Sequence, residues 1–428
     1  MVGKAGDQAL RRSAFKEAAA HLGNAIELAD KLAAMAPSAA PDSNRLRLQT
    51  SLGNALIWAK GHYAPETAAA FARARELANR VEDASERFSA YYGLWAGHFN
   101  RGEPGPMREM AELFLREAAT RPDCPETLVA HRVSGTTCLY FGDFVDAHEH
   151  FQKSIKLYDQ AWHGDFANRF GHDPHAAAEI RDAITLWALG RIDEALRLAD
   201  RALADAESAA HAPTMGYALV FAALLGLLRR NPEAVATYSQ ASADVVSRFD
   251  FPGNWAVVFF QGWAKRSEGA EESSLAEMRR SLAIVPERGQ VWLLPRFEAA
   301  LAEAEASAGE TDAGLRRLDD ALDELERTEQ RWYEAELYRI RGEILLKHDP
   351  ADTAAAEQSL QTAIAIAQSQ QARSFELRAA LSLAKLYRAA NRDADAHAVL
   401  MLAVEGFPPT RQFPELTEAQ TLLAALNP

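Results

Sequence analysis

The sequence predicts an all-α fold, a right-handed superhelical solenoid of tetratricopeptide-like helical hairpins. Three observations predict it. Small residues recur at steps of 7, 5 and 7, as Gly135, Gly142, Ala147, Ser154; Ala183, Gly190, Ala195, Ala202; Gly262, Gly269, Ser274, Ser281; Ala302, Gly309, Gly314, Ala321; and Ala384, Asn391, Ala396, Ala403. Equivalent positions return every 40 to 42 residues, from Gly53 to Gly93 to Gly135 and from Gly262 to Ala302 to Gly342 to Ala384. Apolar residues recur at three and four rather than at two, which excludes strands. The first and third small residues let two helices approach, and the second makes the turn. Two helices of about 16 residues, each roughly 24 Å long, fill this period. The chain then holds about ten hairpins.

The elements follow in order. Residues 1–158 read as N-terminal repeats. Ala18, Leu22 and Ala25 match the marks of a second helix that begins near Phe15, so the first repeat reads as truncated. The segment 159–175 (DQAWHGDFANRFGHDPH) is rich in Gly, His and Asp. It is expected as a protruding loop, ordered by Trp162, Phe166 and Phe170. Residues 176–412 read as C-terminal repeats and 413–428 as a capping helix. Asn231-Pro232 and Asp349-Pro350 place an N-cap residue before proline at a helix start. Asp143, Asp193, Asp312 and Asp393 fall in or near other first turns, at the positive end of the helix dipole.

Composition excludes several classes. The 428 residues carry a formal charge of −14, against wholesale nucleic-acid binding. Met215 to Leu228 is the longest apolar run and is shorter than the roughly 20 residues that cross a bilayer. The basic N-terminus lacks an apolar signal core, and the two cysteines, Cys124 and Cys138, form no CxxC pair. A cytoplasmic chain with reduced thiols is expected.

The marks with a larger apolar residue four on, as in Ala147-x3-Phe151 and Ala396-x3-Leu400, are similar to the tetratricopeptide pattern with a longer period. Three stretches sharpen this. Phe170-Gly171-His172-Asp173-Pro174, Arg331 to Tyr338 (RWYEAELY) and Ser374 to Ala380 (SFELRAA) resemble segments of one bacterial family. That family joins an adenylate/guanylate cyclase domain and a signalling ATPase module to a long C-terminal tetratricopeptide region. The resemblance covers nearly the whole chain and reaches only that region. It implies a regulatory, partner-sensing role, with cyclase and ATPase domains upstream in the full-length protein.

Motifs for chemistry are lacking. There is no phosphate loop, nucleophile elbow or H-E-x-x-H, and Ser382-Leu383-Ala384-Lys385 stands without the other elements of an S-x-x-K enzyme. No catalytic, cofactor-binding or metal-binding residue is assigned; His163, Asp165, His172, Asp173 and His175 read as structural, and His148 and His150 as surface residues. The first helix of each hairpin should line the inner groove. This places Arg132, Tyr140, Trp187, Trp263, Arg266, Arg296, Arg339, Arg378, Lys385 and Arg388 as the candidate partner-binding residues. The arginines of the last repeats form a basic strip suited to an acidic protein or peptide segment. The chain is therefore expected to be a non-catalytic binding scaffold. The alternative is a small-molecule sensor, with Trp187, Phe166 and Phe170 lining a pocket beside the 159–175 segment.

Overall fold

The computed structural model describes residues 2–36, 40–61, 64–81, 84–121, 124–159, 161, 163–249, 255–266, 271–285 and 293–426. Among them there are helices and no strands. Ten hairpins follow one another. They are α1 (Val2–Arg11) with α2 (Phe15–Met35), α3 (Asp42–Lys60) with α4 (Pro65–Ala78), α5 (Ala84–Arg101) with α6 (Pro104–Ala119), and α7 (Thr127–Phe141) with α8 (Phe144–Lys156). A short α9 (His163–Arg169) intervenes. Then come α10 (Pro174–Ala188) with α11 (Ile192–Ser208), α12 (Ala212–Leu228) with α13 (Pro232–Phe249), and α14 (Trp255–Lys265) with α15 (Glu271–Ala283). The last three are α16 (Leu294–Ser307) with α17 (Thr311–Thr328), α18 (Glu334–His348) with α19 (Ala354–Ser369), and α20 (Arg373–Ala389) with α21 (Asp393–Val404). Helix α22 (Pro414–Leu426) closes the array.

The small marks sit where the two helices of a hairpin cross. A Cβ on Gly135 would lie 2.8 Å from the Phe151 ring and 3.1 Å from the Ala147 carbonyl. Where the mark is serine, its hydroxyl spans the hairpin. Ser154 Oγ donates to the Leu128 carbonyl at 2.8 Å, and Ser281 Oγ to the Trp255 carbonyl at 2.6 Å. These bonds satisfy both buried groups, so close packing carries no desolvation cost. Between the second and third hairpins the ring of Phe71 fills the space left by Gly53 and Gly93. The apolar α12 is buried over most of its length, and among the described residues no helix is long and apolar enough to cross a membrane.

Three local expectations need correction. The 159–175 segment does not protrude: it carries α9, and Phe166 and Phe170 are buried against the array. Arg169 pairs with Glu126 at 2.7 Å, and its carbonyl accepts from Asn54 Nδ2 at 2.5 Å. The rings of Phe166 and Phe170, read as order within a loop, instead pack on each other and, through Phe170, on Tyr92 of α5; Trp162 lies outside the described residues. The Asp349 carboxylate accepts from Ala351 N at 3.0 Å, yet α19 begins only at Ala354, because Asp349 caps a turn rather than the helix. His148 and His150, expected at the surface, are part-buried beside Asp182 and His131. By contrast, Asn231 Oδ1 accepts from Ala234 N at 3.0 Å, and Asp173 Oδ1 from His175 N at 2.8 Å, as caps.

The largest departure from a simple array is long-range. Successive turns of the superhelix touch. The Tyr140 hydroxyl donates to the Thr328 carbonyl at 3.1 Å, 188 residues away, and Arg331 N donates to the Tyr140 carbonyl at 3.0 Å. Ser374 Oγ donates to the Trp187 carbonyl at 2.5 Å. Thr410 Oγ1 donates to Asp193 Oδ1 at 2.6 Å. The turns at Gly142 and Gly190 have φ of +83° and +82°, and a Cβ there would lie 2.4 Å from Gln370 Nε2 or 3.0 Å from the Arg373 side chain. Both turns therefore need glycine twice over, for backbone conformation and for approach.

The Phe71 wedge gives a test. A Cβ on Gly93 would sit 1.9 Å from Phe71 Cε1. Gly93→Ala is expected to cost about 1–3 kcal/mol of stability in urea unfolding. Part of that loss should be recovered in the Gly93→Ala/Phe71→Leu pair, as a favourable coupling in a double-mutant cycle.

Candidate functional site

Contact between turns changes the character of the inner face. Arg132, on α7, is buried with its guanidinium 5.0 Å from the centre of the Tyr92 ring. Arg181, on α10, lies 4.1 Å from the Phe221 ring and donates from Nε to the Tyr217 hydroxyl at 2.7 Å. Arg378, on α20, stands 4.9 Å from the ring of Trp187, which also packs against Phe375 and Phe413. Cation–π contacts between desolvated partners are worth about 2 kcal/mol each and need no solvent-facing partner.

A carboxylate network completes the interior near the C-terminus. Arg339 is 2% exposed and pairs with Glu336 at 2.7 Å, Glu343 at 2.7 Å and Glu303 at 3.1 Å. Burial alone would lower the Arg339 pKa; the three carboxylates outweigh it and hold it well above the ordinary value. Arg230, at the turn after α12, reaches Glu303 at 2.8 Å. Burial would raise the Glu303 carboxyl, but Arg230, Arg339 and Arg296 pull it down to about 2. Arg296 is stacked 4.8 Å over Tyr333, and burial pushes its pKa below the ordinary value. Arg378 pairs with Glu415 of α22 at 2.6 Å.

The ten candidate residues thus divide. Arg132, Tyr140, Trp187, Arg296, Arg339 and Arg378 are buried and engaged within the protein. Trp263 near the end of α14 and Arg266 just past it are partly exposed. Lys385 and Arg388 are exposed at the free end of the array. Those two, with Arg411, Pro414, Thr417, Glu418 and Leu422, line an open cleft of about 640 Å³ between α20 and α22. Lys385 pairs with Glu418 at 2.7 Å. Arg388 and Arg411 are exposed and form no ion pair among the described residues. Arg411 lies between the last repeat and the closing helix, at no repeat position, so the periodicity gave no signal for it.

The rings expected to line a small-molecule pocket are packed apart. Trp187 lies among Phe375, Phe413 and Arg378, while Phe166 and Phe170 pack on each other, with Tyr92 against Phe170. Cys124 and Cys138 are free thiols, and burial raises their pKa to about 11 and about 12.

No protein-family model matches the chain. It is 26% identical over 392 residues to an uncharacterized protein of Rhizobium meliloti, covering 89% of this chain and 37% of that protein. The chain therefore spans little more than a third of the length of that relative. Among solved structures, a Rap protein complexed with competence and sporulation factor is similar at a TM-score of 0.57 and 12% identity, over 90% of this chain and 100% of that one. A Pyrococcus horikoshii signal-transduction ATPase with a tetratricopeptide repeat sensor aligns at a TM-score of 0.41 and 12% identity, over 86% of this chain and 50% of that one. The Rap likeness shows the fold: an α-solenoid of tetratricopeptide-like hairpins.

Two outcomes are expected of the network. Arg339→Ala removes the nearest cation from buried Glu336, leaving Arg378 at 3.6 Å, and should lose about 3–5 kcal/mol by chemical denaturation. Glu303, held at about 2 in the folded chain against an ordinary 4.5, contributes stability that is present above pH 4.5 and lost as pH falls toward 2. Glu303→Gln should therefore flatten the acid limb of the stability–pH curve; an unchanged acid limb refutes the assignment.

Proposed function

We propose that this chain is a non-catalytic scaffold that binds a protein or peptide partner in the cleft between α20 and α22. One observation carries the reading. In a chain of formal charge −14, exposed cations at Lys385, Arg388 and Arg411 converge over an apolar floor that includes Leu422. Two guanidinium groups without internal partners can each grip a carboxylate through two parallel hydrogen bonds. The apolar floor takes a neighbouring side chain. An acidic segment with an interspersed apolar residue is the occupant this chemistry fits.

The fold supports the reading. The Rap protein that shares it is complexed with a factor, and arrays of stacked hairpins offer extended binding surfaces. The chain is the sensing region of a longer signalling protein, with cyclase and ATPase domains upstream and the cytoplasm as its compartment. Its length relative to the Rhizobium meliloti protein is consistent with such an arrangement. The small-molecule alternative loses support because the rings it needs face different partners.

Fluorescence anisotropy tests the site. A pool of labelled ten-residue peptides rich in Asp, Glu and Leu should bind, with affinity that falls as salt rises. A matched pool with Lys in place of the acids should not. Arg388→Glu with Arg411→Glu should weaken binding by about tenfold or more, given about 1.5–3 kcal/mol for a charge-assisted hydrogen bond. Equal binding of both pools, or no loss in the double variant, overturns the cleft as the site.

A further inference from the structure

The fifth hairpin holds a side-chain cluster that peptide binding does not use. His175 and Glu179 lie one turn apart on the same face of α10, and Asp205 faces them from the last turns of α11. His175 Nε2 stands 3.5 Å from Glu179 Oε1 and 3.4 Å from Asp205 Oδ2. All three residues offer a ligand atom within 4.8 Å of the others. These separations exceed the 2.7–3.2 Å of a normal hydrogen bond. The His175–Asp205 separation matches the edge of a tetrahedron: ligands about 2.0–2.1 Å from a zinc ion stand about 3.3–3.4 Å from each other.

Two further features point to a cation. The Glu179 side chain is 0% exposed; no donor among the described residues reaches its Oε2, and its carboxyl lies against that of Asp205. A fully buried carboxylate oxygen without a donor is costly, and a metal satisfies it. Arg201 occupies only Oε1, from a side chain that is itself 55% exposed, so it orients the carboxylate without closing the site. The ring of Tyr158 stacks on His175 at 4.0 Å and an interplanar angle of 19°, which fixes the imidazole. Asp205 is 41% exposed and leaves a path from solvent.

The geometry points to a divalent metal site of the zinc class on His175, Glu179 and Asp205, with solvent as the remaining ligand. The imidazole selects zinc or cobalt over magnesium and calcium, which prefer all-oxygen sets. The ion ties the start of α10, where the 159–175 segment joins the array, to the end of α11. Its role there is a structural clip for the fifth hairpin.

The purified full chain, stripped with chelator, is titrated with zinc chloride by calorimetry and with cobalt chloride by visible absorption. The wild-type chain should take up zinc at this site and show the d–d bands of tetrahedral cobalt. His175→Ala and, separately, the milder Asp205→Asn should each remove one equivalent, or weaken it more than about tenfold. His131→Ala, at the close pair His131–His150, should leave that equivalent in place. Retained folding is checked by circular dichroism, and the Asp205 change is at a part-exposed position that the fold tolerates. No zinc uptake by the wild-type chain, or uptake unchanged in Asp205→Asn, overturns the site. Peptide binding at the α20–α22 cleft is read separately, so the two proposals fail independently.

Discussion

The seam between superhelical turns is the constraint on which the rest depends. A stack of hairpins fixes only how each unit meets its neighbour. Here Tyr140 and Trp187 offer their backbone carbonyls to Arg331 and Ser374, well over a hundred residues on, and the glycines at 142 and 190 keep side chains out of the way. Once that approach is made, the first helices of distant hairpins face each other at close range. Their side chains must then satisfy one another, since water no longer reaches them.

That requirement explains the chemistry of the interior. Guanidinium groups on a helix face that would line an open channel are placed over rings or against carboxylates. Arg378 illustrates both at once, with Trp187 beneath it and Glu415 beside it. The planar, delocalised guanidinium suits such double duty better than a lysine ammonium, which keeps its hydration more tightly. At the far end, where no later turn covers the face, Lys385 and Arg388 stay in solvent. The position of the cleft follows from the array's geometry, and its charge from what the interior did not consume.

The sequence made the repeat legible because the repeat is a neighbour-to-neighbour property. Gly135 and Ala147 are small because Phe151 and the facing backbone need the space, and the 7-5-7 spacing records that need. Phe15 marked the start of α2 for the same reason. Among the candidate residues, Lys385 and Arg388 face solvent. What local periodicity lacks is any record of contacts at a separation of 187 or 188 residues, so the burial of Arg132, Arg296 and Arg339 was not visible. The 159–175 segment failed for a related reason. Its rings signalled a need for cover, and only the three-dimensional path supplies the surface that covers them.

The polar links across the seam also set how such a coil can deform. A free helical spring stretches by small, graded steps. A spring whose coils are stitched by short directional bonds yields only when a stitch lets go, because a hydrogen bond weakens steeply with distance and angle. Thr410, joined to Asp193 at 2.6 Å, sits on the strand of chain that leads into α22. Traction on that closing helix therefore loads the seam directly, and its first step is the loss of a directional bond rather than a graded stretch.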